Sequence, residues 1–122
     1  MAADEKRLKR RRAERRGRLA EYAAALFLRL KGYRILVMRY RTPSGEIDII
    51  ARRGDLVAFV EVKMRQDARN AVDAVGPATQ HRIRAASNHW ISRQSNAHLL
   101  SYRYDIVAMQ QWKLPRHFVD AF

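Results

Sequence analysis

Two short stretches hold the residues most able to do chemistry, Gly45-Glu46-Ile47-Asp48-Ile49-Ile50 and Phe59-Val60-Glu61-Val62-Lys63. Both read as strands, because β-branched and aromatic residues alternate with charges and leave the other face apolar. Between them lies Arg52-Arg53-Gly54-Asp55-Leu56, whose Gly-Asp pair suits a two-residue hairpin turn with Gly at the first central position. Counting outward from that turn, Arg53 faces Leu56, Asp48 faces Glu61 and Glu46 faces Lys63, on one side of the sheet.

Directly opposed residues of an antiparallel pair have Cβ atoms about 4.5–5.5 Å apart, and like charges there are destabilising. Two acids set against each other among Ile, Val and Phe call for a cation between them. A hard ion such as Mg²⁺ or Mn²⁺ takes oxygen ligands, commonly one or two carboxylates completed by waters and phosphate oxygens. Lys63, two residues from Glu61, points an ammonium at the same spot. Such a group can bind a metal, charge a water and hold a phosphate. A three-residue loop would separate the acids, so register decides the matter. The bland alternative is a set of cross-strand salt bridges on an exposed face. Exposed pairs contribute only about 0–1 kcal/mol, a weak reason for an acid–acid pair at the centre.

The elements that must position these residues are legible in outline. From Arg18 to Lys31 the pattern is helical, with Leu19, Tyr22, Ala23, Leu26, Phe27 and Leu30 as the expected core stripe and Gly32 as a stop signal. Glu21 projects from a face of small or apolar neighbours, Ala24, Ala25 and Leu28. Near a helix start it gains from the macrodipole and from Arg18, a purely structural role; beside a metal it becomes a third carboxylate. Tyr33 to Arg41 reads as a strand, Thr42-Pro43-Ser44-Gly45 as a turn, and the hairpin follows. Residues 65–76 read as a surface loop. Pro77 opens a second helix running to about Ser95, buried through Ile83, Ala86, Trp90 and Ile91. Its His81 and His89 lack the spacing of a helical metal pair. Tyr102 to Met109 is a last strand, and Trp112, Leu114, Phe118 and Phe122 are expected to anchor a C-terminal segment. The order helix, three strands, helix, strand predicts an α/β protein, a three-layer α/β/α domain with a mixed sheet and a parallel crossover through the second helix.

The 122 residues suit one domain, 17–122, preceded by a basic arm over 1–16 that is expected to be disordered or a frayed helical extension. No cysteine occurs, which excludes disulfides, zinc-thiolate sites and iron–sulfur clusters and fits a cytoplasmic location. A net charge of +13 points to a polyanionic partner, DNA first, with RNA retained and an anionic membrane surface ranked behind them. No run has the roughly 18–20 apolar residues needed to cross a bilayer. Glu21 and Arg29 interrupt the apolar stretch after the basic start, and no small-residue cleavage site follows, so a signal peptide is not expected.

A carboxylate in the first helix, Asp on a second strand and Glu-x-Lys on a third resembles the PD-(D/E)xK nuclease superfamily, with its restriction-endonuclease-like core. More closely, Gly45 to Ala51 and Phe59 to Arg65 look like the YraN family of small bacterial proteins, which are similar to archaeal Holliday-junction resolvases. The resemblance runs from about Gly17 to Phe122. It implies that Glu21, Asp48 and Glu61 are ligands of Mg²⁺ or Mn²⁺, that Lys63 orients or activates the attacking water, and that Gln80 assists. The expected activity is metal-dependent endonucleolytic hydrolysis of phosphodiesters. Arg34, Arg39, Arg41, Arg65, Arg82 and Arg84 are candidate backbone clamps. Phosphate contacts read no sequence, and no base-reading helix stands out, so branched or structured DNA is the expected substrate. Paired cuts would call for a symmetric homodimer. The rivals are a non-catalytic nucleic-acid-binding module of the same fold and a basic RNA- or ribosome-associated protein.

Overall fold

The turn between the two acidic strands sets the register of the sheet. Gly54 has a φ of 61° while Asp55 keeps an ordinary backbone, so one residue with positive φ opens a two-residue loop, and Arg53 pairs with Leu56 as the spacing predicts. The computed structural model describes residues 2–122. In chain order the elements are α1 (Ala2–Leu30), β1 (Arg34–Thr42), β2 (Gly45–Arg53), β3 (Leu56–Met64), α2 (Ala68–Asp73), α3 (Pro77–Ser92), a 3-10 turn (Ala97–Leu99), β4 (Ser101–Met109) and β5 (Arg116–Phe118).

The strands form one sheet in the order β1-β2-β3-β4-β5. Only β3 and β4 run parallel, joined by the crossover through α2 and α3; the other neighbours are antiparallel. The two helical faces differ. On one, Ala24, Ala25 and Leu28 of α1 pack on Ile49, Ala51, Ala58, Val60 and Val107. On the other, Ile83, Ala86 and Trp90 of α3 pack on Ile50, Val57, Phe59 and Ile106. Phe59 meets Trp90 edge-on at 5.8 Å between centroids and stacks on Tyr102 at 6.0 Å, geometries that aromatic quadrupoles favour. The result is the expected three-layer α/β/α arrangement with a mixed sheet. No helix among the described residues is long and apolar enough to cross a membrane.

Three expectations need correction. Most of the stripe expected to be the core of the first helix faces outward: Leu19, Tyr22, Leu26 and Leu30 are 61%, 64%, 57% and 81% exposed, while Phe27 packs partly buried on the core and Leu28 is fully buried. Helical period alone does not say which of two apolar faces goes inside. The face that wins carries mostly alanines, which let the helix approach a sheet already filled with Ile and Val. Residues 65–76 contain α2, whose N-terminus is capped by Asp67 Oδ1 accepting from Arg69 N at 2.9 Å; Ala68 and Ala71 bury against Ala108. Six residues are too few to show a helical period. In the C-terminal segment Phe118 and Phe122 reach the core, but Trp112 and Leu114 are exposed.

That segment is held by a buried acid. Asp105 of β4 is fully buried and accepts from Arg103 Nε and Nη2, both at 2.7 Å, and from Asp120 N at 3.0 Å, with His117 Nε2 at 2.8 Å. One carboxylate thereby ties β5 and the last turn to the sheet. In α1 the basic arm continues the helix, and every residue from Ala2 to Arg16 is exposed.

Candidate metal centre

Asp48 lies where the β2–β3 ladder ends. The last backbone pair is Ile49 with Val60, so Asp48 and Glu61 come next, as the count from the turn requires. In place of a further rung, Asp48 Oδ2 accepts from Val62 N at 2.8 Å. Strand faces also change here: Ile47 joins the α3-side cluster and Ile49 the α1-side cluster, although two residues apart. Asp48 therefore has one oxygen fixed by β3, and its other oxygen remains for Glu61 or a ligand.

Glu61 is buried and close enough to Asp48 for one carboxyl to hydrogen-bond the other. Burial, the Asp48 hydrogen bond and the Asp48 charge together push its pKa up to about 9, against the opposing pull of Lys63. Lys63 Nζ lies 3.5 Å from Glu61 Oε2. Two acids that hinder each other's ionisation, with an ammonium alongside, are a donor set that fits a divalent cation.

Glu21 arrives from α1 and is buried. Both its oxygens face Arg39 Nε, at 2.7 Å and 3.2 Å. Glu21, Asp48, Glu61 and Lys63 line one cavity of about 330 Å³, together with Glu46, Thr79 and Arg82. Among the described residues, however, no three Asp, Glu or His side chains converge as a ready ligand set, and Glu21 is the one engaged elsewhere.

Other predicted residues divide. Arg82 lines the main cavity, and Arg39 and Arg41 line a smaller hollow beside it with Glu46 and Asp48. Arg34 and Arg65 line different hollows, and Arg84 lies over the Tyr104 ring at 4.6 Å, away from the acids. Gln80 does not line the cavity; its Nε2 donates to Val75 O at 3.0 Å and braces the start of α3. Its neighbour Thr79 faces the acids instead. Spacing does not reveal the Arg39–Glu21 pair, although a lone acid on an apolar helix face signals a partner elsewhere. Gly45 has a role that its place in the motif does not show. A Cβ there would collide with the Arg82 backbone carbonyl, so glycine lets α3 close over the strand that carries Asp48.

Fold and site define a small α/β protein with an acidic, lysine-flanked cleft at the end of a β-hairpin. The family described as Uncharacterised protein family UPF0102 matches residues 20–109, and this chain belongs to it. A UPF0102 protein of Rhizobium johnstonii is 64% identical over 113 residues, 93% of each chain. UPF0102 proteins of Agrobacterium fabrum and Rhizobium meliloti are 59% and 60% identical over the whole of both chains. The YraN-like resemblance of the two motifs is thus supported as family membership.

Proposed function

We propose that this protein is a metal-dependent endonuclease that hydrolyses phosphodiesters of branched or structured DNA. The observation that carries the proposal is the Asp48–Glu61 carboxyl pair, with Lys63 beside it, opening into one cavity. Asp48 and Glu61 would hold Mg²⁺ or Mn²⁺, with Glu21 as a further ligand. A bound divalent ion supplies Lewis acidity toward the scissile phosphate and makes water a usable nucleophile at neutral pH.

The side chains do the rest. Asp48, pinned through Oδ2 to Val62 N, fixes where the carboxylate pair sits relative to the sheet. Lys63 Nζ stabilises negative charge as it grows on the phosphate, and such preorganised charge is usually the largest catalytic contribution. Arg82 and Arg41 flank the acids and are suited to flanking phosphates. These contacts position a backbone and read no bases, in keeping with selection by nucleic-acid shape in the cytoplasm, by a homodimer where two cuts are paired. The engagement of Glu21 by Arg39 favours a second reading, a non-catalytic nucleic-acid-binding module in which the acids serve only the fold.

The test is a cleavage panel of duplex, nicked, flap, four-way-junction and single-stranded DNA, and RNA, with and without Mn²⁺, run beside Asp48→Ala. The expected result is Mn²⁺-dependent cutting that Asp48→Ala abolishes while binding stays equal or tightens, since carboxylate–phosphate repulsion is relieved. Equal weakening of binding and cutting would overturn the assignment, and binding without cutting on every substrate would support the second reading.

A further inference from the structure

We infer that Arg39 is an exchangeable counter-ion: without substrate it holds Glu21 apart from the Asp48–Glu61 pair, and a substrate phosphate takes Glu21's place on the guanidinium. The inference rests on the proposed cation site and adds how that site is completed.

Four observations converge on it. Arg39 grips Glu21 through Nε alone, reaching both carboxylate oxygens, and among the described residues its two terminal nitrogens have no acceptor. A guanidinium in this state can meet a phosphate without first breaking every bond to Glu21. The pair is also lopsided, since the Glu21 side chain is 11% exposed and that of Arg39 is 33% exposed. The partner nearer solvent is the one able to change hands.

Backbone conformation adds to this. Arg39 has a φ of 55°, a left-handed conformation that costs a non-glycine residue energy. The pairs on either side, Met38 with Ile49 and Tyr40 with Ile47, place it opposite Asp48. The strain thus sits where β1 passes the acids. Lastly, Glu21, Asp48 and Glu61 line one cavity together with Glu46, so withdrawing Arg39 leaves four carboxyl groups with Lys63, Arg82, Arg41 and Arg18 as the nearby cations. Phosphate binding and cation binding then favour each other through Arg39, and the coupling is reciprocal.

The test follows Mn²⁺ binding by calorimetry and thermal melting of the full chain, with and without a short DNA duplex. It compares wild type, Arg39→Asn, Glu21→Gln, the double variant and Asp48→Ala. Asn tolerates the left-handed conformation, so Arg39→Asn removes the charge with little backbone cost. Arg39→Asn is expected to melt below wild type in EDTA, to gain more than wild type from Mn²⁺, and to bind Mn²⁺ about fivefold or more tightly without DNA. Adding Glu21→Gln should erase that gain, and DNA should tighten Mn²⁺ binding more in wild type than in Arg39→Asn. If Asp48→Ala weakens Mn²⁺ binding but Arg39→Asn does not strengthen it, or the gain survives Glu21→Gln, Arg39 is a static brace and the exchange is overturned while the site stands. If Mn²⁺ binds no variant, or binds Asp48→Ala as well as wild type, the cation site itself falls.

Discussion

Two carboxyl groups in this protein are displaced in opposite directions, and they predict opposite limbs of a stability profile. Asp105 is fully buried, and although burial alone would raise it, the hydrogen bonds from His117, Arg103 and the Asp120 amide bring it down to about 2. Its contribution is complete above the ordinary value of 3.8 and is lost as pH falls toward 2, because the unfolded chain takes up the proton first. Glu61, held up at about 9, works the other way. Between 4.5 and 9 the native chain keeps a proton that the unfolded chain has released, so stability falls as pH rises through that window. Melting temperatures in EDTA should therefore drop toward the alkaline side. Glu61→Gln should flatten that limb, and saturating Mn²⁺ should flatten it in the wild type; an unchanged slope in the variant would show that Glu61 is not the group responsible. Neither shift could be read from residue types alone, since each depends on which groups fold against the carboxyl.

The first helix carries two apolar faces, and only one is used by the core. Leu28 is fully buried against the sheet, whereas Leu26, two positions earlier, is 57% exposed. Leu28→Ala should cost about 2–5 kcal/mol, the range for emptying a packed leucine site. Leu26→Ala should change stability by no more than about 0.5 kcal/mol, as exposed substitutions do. Urea unfolding of the two variants distinguishes the faces, and comparable losses would mean that the helix is rotated from the position described. The periodicity that marks Leu19, Tyr22, Leu26 and Leu30 as a stripe is real; what it lacks is a direction. In the hairpin the same kind of local pattern succeeds, because Gly54 and Asp55 fix a loop length and strand alternation then leaves only one register.

Over the whole molecule the charge is lopsided, +13 in total, with much of the excess in an exposed run of helix. Deleting residues 1–16 should lower affinity for DNA and flatten its dependence on salt, since a phosphate that is no longer neutralised keeps its condensed counter-ions. It should leave Mn²⁺ binding as it was. Affinities measured across a salt series check both parts, and an unaltered slope would show that the arm does not bind the polyanion.

What the sequence by itself determined was the acidic hairpin and the order of elements around it. Turn chemistry and the two-residue period of a strand are local, and they were enough to set Asp48 against Glu61 with Lys63 alongside. Only the tertiary structure decided which face of α1 goes inward, that Glu21 is claimed by Arg39, that Gln80 braces its own helix, and that Arg84 lies over Tyr104. Most of these outcomes are settled between residues distant in the chain, where several partners compete for one side chain and packing selects among them; no local pattern encodes that choice.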